Sequence, residues 1–160
     1  MTVLRPDDDA RGLRFRLVAA SWNERIVTRL VNGALGTLRS QGAAEGDCTL
    51  WWVPGSFELP LAARWAAQTP FAAGPPDAVI ALGCVIRGET EHFRIVSDNA
   101  AQGLLRVALD TGTPVLNGVL AAHDTAQAES RSGGEHGNAG SQAALAAVRM
   151  ARLSRDVEAR

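Results

Sequence analysis

Residues 77–86 form a nearly continuous apolar run, and few folds can accommodate such a strand. It is typical of parallel sheets, in which helices cover both faces. Strand patterns also cover residues 13–20, 48–53 and 113–121, and a segment with helical spacing follows each of the four strands. Strands that alternate with helices indicate a parallel sheet joined by right-handed crossovers. We therefore predict an α/β fold, a three-layer αβα sandwich around a four-stranded parallel sheet.

Local capping and turn signals predict where the helices begin and end. Residues 21–24 have the spacing of a capping box at the start of the first helix, although Asn23 could be the cap instead. Ser56 is a candidate cap for the second helix. Helical patterns cover residues 125–132 and 138–157, and the glycine-rich residues 133–137 separate them. We expect this segment to be a flexible or kinked joint, because it lacks the lysine of a P-loop and does not follow a strand.

Length and composition limit the classes of protein to which the chain can belong. Its 160 residues are the usual size of one domain, so we expect a single domain over residues 1–160. Residues 1–11 are polar and acidic and are expected to form a flexible N-terminal arm. They lack the pattern of a signal peptide, so a cytoplasmic location is expected. With a net charge of -1, no basic stripe and no long apolar run, neither nucleic acid nor a membrane is an expected partner.

The cysteines and histidines do not show the spacing of a metal site. Cys48 and Cys84 lie far apart in strand-like segments and are predicted to be small buried side chains. His92, His123 and His136 lack the close pairing of a helical zinc motif. We expect neither a metal ion nor a cofactor.

Unusual side chains lie at the predicted carboxyl ends of the strands, where open α/β sheets bind their ligands. Trp22 follows the first strand, residues 56–58 follow the second, residues 87–92 follow the third, and Asn117 falls within the fourth. Each has a structural explanation when it is taken alone; Trp22, for example, could pack over the first helix. Their shared location at one edge of the sheet favours a functional site.

The segment after the third strand predicts a phosphate site. Gly88, Glu89 and Thr90 lie between a strand and a helix, where exposed backbone N–H groups bind phosphate. The Thr90 hydroxyl adds a donor. His92 lies in the first turn of the helix, whose positive end favours a neutral imidazole that can accept a proton. This combination suits proton transfer on a sugar phosphate.

Two longer motifs carry a specific resemblance. They are Val-Pro-Gly-Ser-Phe-Glu-Leu-Pro at residues 53–60 and Ala-Leu-Gly-Cys-Val-Ile-Arg-Gly-Glu-Thr-Glu-His-Phe at residues 81–93. With residues 117–120 and 131–140, they make the chain resemble lumazine synthases from about residue 13 to residue 153. The resemblance implies a flavodoxin-like sheet and a transferase of riboflavin biosynthesis. This enzyme condenses 5-amino-6-(D-ribitylamino)uracil with 3,4-dihydroxy-2-butanone 4-phosphate and forms 6,7-dimethyl-8-ribityllumazine, phosphate and water.

The resemblance also implies roles for individual residues. His92 is implied as the proton-transfer residue. Implied contacts to the pyrimidine and the ribityl chain are Trp22, Ser56, Phe57, Glu58, Val85, Ile86 and Asn117. Implied phosphate contacts are Gly88, Glu89, Thr90 and Arg131. Asn117 and Arg131 would come from a neighbouring subunit, because the family's active sites lie between adjacent chains of a homopentamer.

The sequence departs from the common family pattern at three positions. Asn117 stands where many members have phenylalanine, Ala139 where many have lysine, and Glu135 where a basic residue is common. Ala139 and Glu135 weaken the local positive potential. We therefore expect phosphate binding to depend unusually strongly on Arg131. Trp22 stands where a tryptophan lets some members hold a flavin, and flavin binding is expected.

Several alternatives remain open at this stage. Pentamers of the family stay single, pair into decamers or close into sixty-subunit shells, and a riboflavin synthase is a candidate partner. A non-catalytic flavin-binding or shell-forming relative is the main alternative function. A different phosphosugar-binding enzyme on the same type of sheet is the third.

Overall fold

The computed structural model describes residues 3–160, and its main sheet has four parallel strands. The strands lie in the order β2-β1-β3-β4, so β2 and β4 are the two edges. Their bounds are β1 Phe15–Ala20, β2 Cys48–Val53, β3 Ala78–Ile86 and β4 Val115–Ala122. The first seven residues of β3 are buried, as the apolar run predicts. The predicted α/β sandwich with a flavodoxin-like parallel sheet is confirmed.

Helices cover both faces of this sheet. Five α-helices are described: α1 Glu24–Ser40, α2 Leu59–Gln68, α3 His92–Thr111, α4 Thr125–Ser130 and α5 Ala139–Glu158. Two short 3₁₀ turns cover Glu45–Asp47 and Ser56–Glu58. Leu30 of α1 and Val148 of α5 share a core with Leu17 of β1. On the other face, Ala63 of α2 and Leu104 of α3 pack with neighbouring side chains of the same strands.

The glycine-rich segment before α5 is a β-hairpin, so the prediction of a joint between two helices was wrong. Its strands are β5 Ser132–Gly134 and β6 Gly137–Asn138, which pair antiparallel. Helix α4 ends at Ser130, earlier than predicted, because the chain then turns into β5. Gly133 and Gly137 have φ values of 112° and 78°, a left-handed region that favours glycine.

The predicted caps of α1 and α2 were also wrong. Asn23 is the residue before α1, but its side chain does not cap the helix. Its φ is 59°, and its Nδ2 donates to the carbonyl oxygen of Cys84 at 2.9 Å. A hydrogen bond between the loop after β1 and the strand β3 therefore holds this conformation. Ser56 lies in the 3₁₀ turn, and Glu58 is the residue before α2.

The N-terminal segment packs against α5. Ala10 is fully buried, and Arg149 donates from Nε to the Asp8 carboxylate at 2.6 Å. Arg152 donates from Nε to the carbonyl oxygen of Asp9, also at 2.6 Å. The expected arm over residues 1–11 thus includes a packed part, while its first two residues lie outside the described residues. None of the helices within residues 3–160 is long and apolar enough to cross a membrane.

Arg16 of β1 is a buried charged side chain and is only 5% exposed. Its guanidinium carbon lies 4.5 Å from the ring centre of Trp51 and 4.3 Å from that of Phe71. Nη2 donates to the carbonyl oxygen of Thr69 at 3.2 Å. Burial lowers the pKa of this guanidinium, because the charged form loses water. The two rings and one carbonyl group therefore hold the cation and attach the loop after α2 to the sheet.

Candidate active site

A cavity of about 610 Å³ lies at the carboxyl ends of β1, β2 and β3. Its volume is in the usual range for small-molecule sites. Its walls are mainly apolar, with a few polar groups. The lining residues are Trp22, Pro54, Gly55, Ser56, Phe57, Glu58, Cys84, Val85, Ile86, Gly88, Thr90, His92, Phe93, Ile95 and Val96. Three segments that are far apart in sequence thus meet at the edge of the sheet where ligands are expected.

Two aromatic side chains of the cavity are largely exposed. Trp22 is 73% exposed and Phe57 is 55% exposed. The backbone N–H of Trp22 donates to the carbonyl oxygen of Pro54 at 3.1 Å, which ties the loop after β1 to the loop after β2. With this exposure, Trp22 is not a packed cover of α1. Exposed rings that line a cavity offer flat apolar surfaces to a planar ligand.

Ser56 brings a buried hydroxyl to the same cavity. The residue is 4% exposed, and Oγ has no partner among the described residues. A Cβ on Gly83 of β3 would lie 2.6 Å from this oxygen, so the glycine allows the close approach of β3 to the turn. Buried polar atoms are generally hydrogen-bonded, so a hydroxyl without a partner at this position is unusual. The carboxylate-bearing residue Glu58 is exposed nearby.

The segment from Arg87 to His92 forms the third wall. The backbone N–H of Arg87 donates to the carbonyl oxygen of Ala122 at 2.9 Å, which fixes the start of the segment against β4. Thr90 Oγ1 accepts from the backbone N–H of His92 at 3.4 Å. His92 is the first residue of α3 and is exposed, as are Gly88 and Thr90. An anion at this position would meet the N-terminal end of a twenty-residue helix.

Glu89 lies on the other side of this segment. It lines a separate polar groove of about 510 Å³ together with Arg94, Asp98 and His123. Gly88 and Thr90 line both spaces. Of the three residues of the predicted phosphate segment, Glu89 thus lines only the groove and not the cavity.

Asn117 and Arg131 do not line the cavity of their own chain. Asn117 is an exposed residue of the edge strand β4, in register with Ala81, and its Oδ1 accepts from the backbone N–H of Val119. It precedes the carboxyl end of β4 by five residues, a distance of roughly 16 Å along a strand. Arg131 is exposed and follows α4 directly. Their participation in the site of a neighbouring subunit stays a prediction.

Cys84 and the apolar start of α3 complete the cavity. Burial raises the pKa of the Cys84 thiol to about 11, so it is protonated at neutral pH and is a poor nucleophile. Phe93, Ile95 and Val96 were not predicted as cavity residues, although their closeness to His92 could have indicated it. Among residues 3–160, no group of three or more His, Cys, Asp and Glu side chains is arranged to hold a metal ion.

The flavodoxin-like sheet and the cavity at its carboxyl edge define an α/β protein that binds a small molecule. Residues 12–155 match the family model of 6,7-dimethyl-8-ribityllumazine synthase. The 6,7-dimethyl-8-ribityllumazine synthase of Stenotrophomonas maltophilia strain K279a is 50% identical over 141 residues, which cover 88% of each chain. That of Xanthomonas euvesicatoria pv. vesicatoria strain 85-10 is 48% identical over 140 residues, with the same coverage. The chain belongs to the 6,7-dimethyl-8-ribityllumazine synthase family.

Proposed function

We propose that this chain condenses 5-amino-6-(D-ribitylamino)uracil with 3,4-dihydroxy-2-butanone 4-phosphate and so carries out the penultimate step of riboflavin biosynthesis. The products are 6,7-dimethyl-8-ribityllumazine, phosphate and water. One observation carries the proposal: the family match extends over residues 12–155 and includes every segment that lines the cavity. No observation on the described residues favours a non-catalytic relative, since His92 and Glu58 both lie at the cavity.

The pyrimidine substrate takes the apolar part of the cavity. Its ring stacks on the exposed indole of Trp22 and contacts Val85 and Ile86. Its ribityl hydroxyls reach the turn after β2, where the buried Ser56 hydroxyl lacks a partner and Glu58 can accept hydrogen bonds. Phe57 shields this end of the substrate from water.

The phosphate of the second substrate lies at the N-terminus of α3. Backbone N–H groups near Gly88 and the Thr90 hydroxyl donate to its oxygens, and the helix dipole favours its charge. Glu89 lies between these two residues and lines the neighbouring polar groove. Arg131 of an adjacent subunit supplies the cation, and Asn117 of that subunit covers the pyrimidine.

His92 moves the protons of the reaction. The 5-amino group of the uracil attacks the ketone carbon, and loss of water gives an imine. His92 removes a proton from the carbon next to the imine, and phosphate then leaves from the neighbouring carbon. The enol that remains becomes a ketone, and the ribitylamino nitrogen attacks its carbonyl carbon and closes the second ring with loss of a second water molecule. A placed acid or base contributes typically ~10²–10⁴-fold, whereas holding two reactants together can contribute effective molarities of roughly 10⁵ M or more. We therefore expect the loss of a binding residue to lower the rate at least as much as the loss of His92.

A site that takes Arg131 and Asn117 from an adjacent subunit also requires an oligomer, which we propose to be a pentamer. Exposed apolar side chains on α2 and α3 support association, because a large apolar surface on a monomer is unfavourable in water. These side chains are Leu61, Trp65, Ile95, Leu105 and Leu109. Association with a riboflavin synthase, further assembly into decamers or shells, and a cytoplasmic location stay predictions.

A turnover assay with both purified substrates tests the proposed function. Lumazine formation is followed by absorbance and fluorescence, and the uncatalysed condensation is the reference. We expect product above that reference, a lower rate in Arg131→Ala and a raised KM for the butanone phosphate. A folded, oligomeric sample that forms no product above the reference would contradict the proposal.

A further inference from the structure

The tip of the β5–β6 hairpin is fixed against the end of α4 at Ser130. The backbone N–H of His136 donates to the carbonyl oxygen of Ser130 at 3.0 Å. The Ser130 hydroxyl and His136 Nδ1 are 2.5 Å apart. A Cβ on Gly134 would lie 2.9 Å from the Cα of Ser130, so only glycine allows this approach. Backbone and side chain thus hold the exposed His136 ring at one place.

The contact with Ser130 decides what the ring offers to a ligand. When the serine hydroxyl donates to Nδ1, the proton of a neutral imidazole is on Nε2. Nε2 then points a donor away from the contact. Phosphate oxygens accept hydrogen bonds and cannot donate them when ionised, so such a ring fits a phosphate group.

Arg131 follows Ser130 directly, and hydrogen bonds hold its backbone. Its backbone N–H donates to Gln127, and its carbonyl oxygen accepts from the backbone N–H of Ala139 at 2.9 Å. No carboxylate within residues 3–160 forms an ion pair with Arg131. The nearby carboxylate of Glu129 pairs with Arg25 instead. The His136 ring is therefore held at Ser130, and the next residue in sequence is an arginine without an ion pair among residues 3–160.

We propose that His136 binds phosphate together with Arg131, and that Ser130 is the positioning residue that keeps its Nε2 a donor. The inference rests on the proposed function, because that function places Arg131 at the phosphate group bound in the neighbouring subunit's cavity. The ligand is the phosphate group of the butanone substrate or the inorganic phosphate that the reaction releases. Both present the same oxygens to the hairpin.

Two variants of His136 test the contribution of its hydrogen-bond donor separately from that of its flat ring. His136→Phe removes both nitrogens and retains a flat ring, whereas His136→Gln restores a donor. A hydrogen bond to a charged group predicts that His136→Phe raises the KM for the butanone phosphate about tenfold or more. We expect kcat within about twofold of the parent and most of the loss recovered by His136→Gln. The KM for the butanone phosphate reports on binding of the substrate, and the Ki of inorganic phosphate as a competing ligand reports on binding of the product.

Ser130 provides a second route to the same result. Ser130→Ala removes the hydroxyl contact, and we expect it to raise the KM of the butanone phosphate, while Ser130→Thr recovers it. Tm and oligomeric size are measured for each variant at one protomer concentration. If Ser130 and His136 had a purely structural role, their variants would lower Tm and kcat. The KM for the butanone phosphate and the Ki of phosphate would then not change together.

The outcomes separate this inference from the proposed function. If Arg131→Ala raises KM and neither the His136 nor the Ser130 variants do, the role of His136 is overturned and that of Arg131 is retained. If none of these variants changes KM or Ki, the phosphate site at this hairpin is overturned altogether. Raised constants in His136→Phe that His136→Gln and Ser130→Thr reverse support the proposal.

Discussion

Gly140, near the start of α5, lies directly against the backbone of α1 at Leu30. A Cβ at this position would overlap with the carbonyl oxygen of Leu30 and lie 2.7 Å from its carbonyl carbon. Ordinary contacts between carbon atoms are about 3.5–4.0 Å, so Gly140→Ala requires the helices to separate by roughly 1 Å. The obstacle is backbone rather than a flexible side chain, so it cannot rotate away.

The expected cost combines three effects. Forcing extra atoms into a packed core costs ~1–3 kcal/mol, and backbone contact places Gly140→Ala near the upper value. Separation of the helices also strains the bond from Asn138 Nδ2 to the carbonyl oxygen of Arg29, worth about 1 kcal/mol. Alanine offsets about 1 kcal/mol through its helix propensity. We expect the free energy of unfolding to fall by about 3 kcal/mol.

Gly36 of α1 is the matched control. A Cβ there meets nothing within 4 Å, and the position is exposed. Gly36→Ala is therefore expected to raise the free energy of unfolding by up to about 1 kcal/mol. Denaturant unfolding at a fixed protomer concentration measures both variants, because association contributes to apparent stability.

Enzyme activity also reports on the displacement of α5 in Gly140→Ala. The hairpin that follows Arg131 leads directly into α5 through Asn138, so moving α5 moves the hairpin. Gly140→Ala should raise the KM for the butanone phosphate, whereas Gly36→Ala should not. A Gly140→Ala protein as stable as the parent, with an unchanged KM, would refute the packing argument.

Other substitutions test the core cation, the cavity and the thiols. Arg16→Ala should lower the free energy of unfolding by about 2–4 kcal/mol because it leaves a void between two rings, and Arg16→Met should recover most of it in urea titrations. Trp22→Ala should weaken riboflavin binding by about tenfold in fluorescence titration, since a ring partner is lost; equal affinities would contradict stacking. Burial raises the pKa of Cys48 and Cys84 to about 11, from 9.0 in the unfolded chain, so the unfolded state loses its protons first. Stability should fall as pH rises from about 9 to 11, and less steeply when both cysteines are alanine.

The sheet could be predicted because its signals are local. The run that became β3 is apolar at nearly every position, and that pattern has few explanations besides a strand covered on both sides. The order of strands and helices then fixed the parallel arrangement and the edge where ligands bind. Trp22, Ser56 and His92 could be assigned to that edge from the sequence alone, and all three line the cavity there.

Features that depend on distant contacts could not be predicted in this way. The conformation of Asn23 follows from a bond to Cys84, which is 61 residues away in sequence. The hairpin before α5 depends on the fit of Gly134 against Ser130, which no periodicity reports. Phe93 and Val96 have the spacing of a core face, so their place in the cavity wall was hidden by the amphipathic pattern of α3.

Three separate segments supply Arg16, Trp51 and Phe71, yet the effect of substituting one of these residues depends on the other two. If either ring were replaced first, a buried charge would lose one of its two aromatic partners while staying out of water. If the arginine were replaced first by an apolar residue of similar length, both rings would be free to vary later. The order of substitutions therefore matters, and a loop transplanted into this chain at residues 69–76 has to carry an aromatic residue at position 71 or be joined to a chain without Arg16.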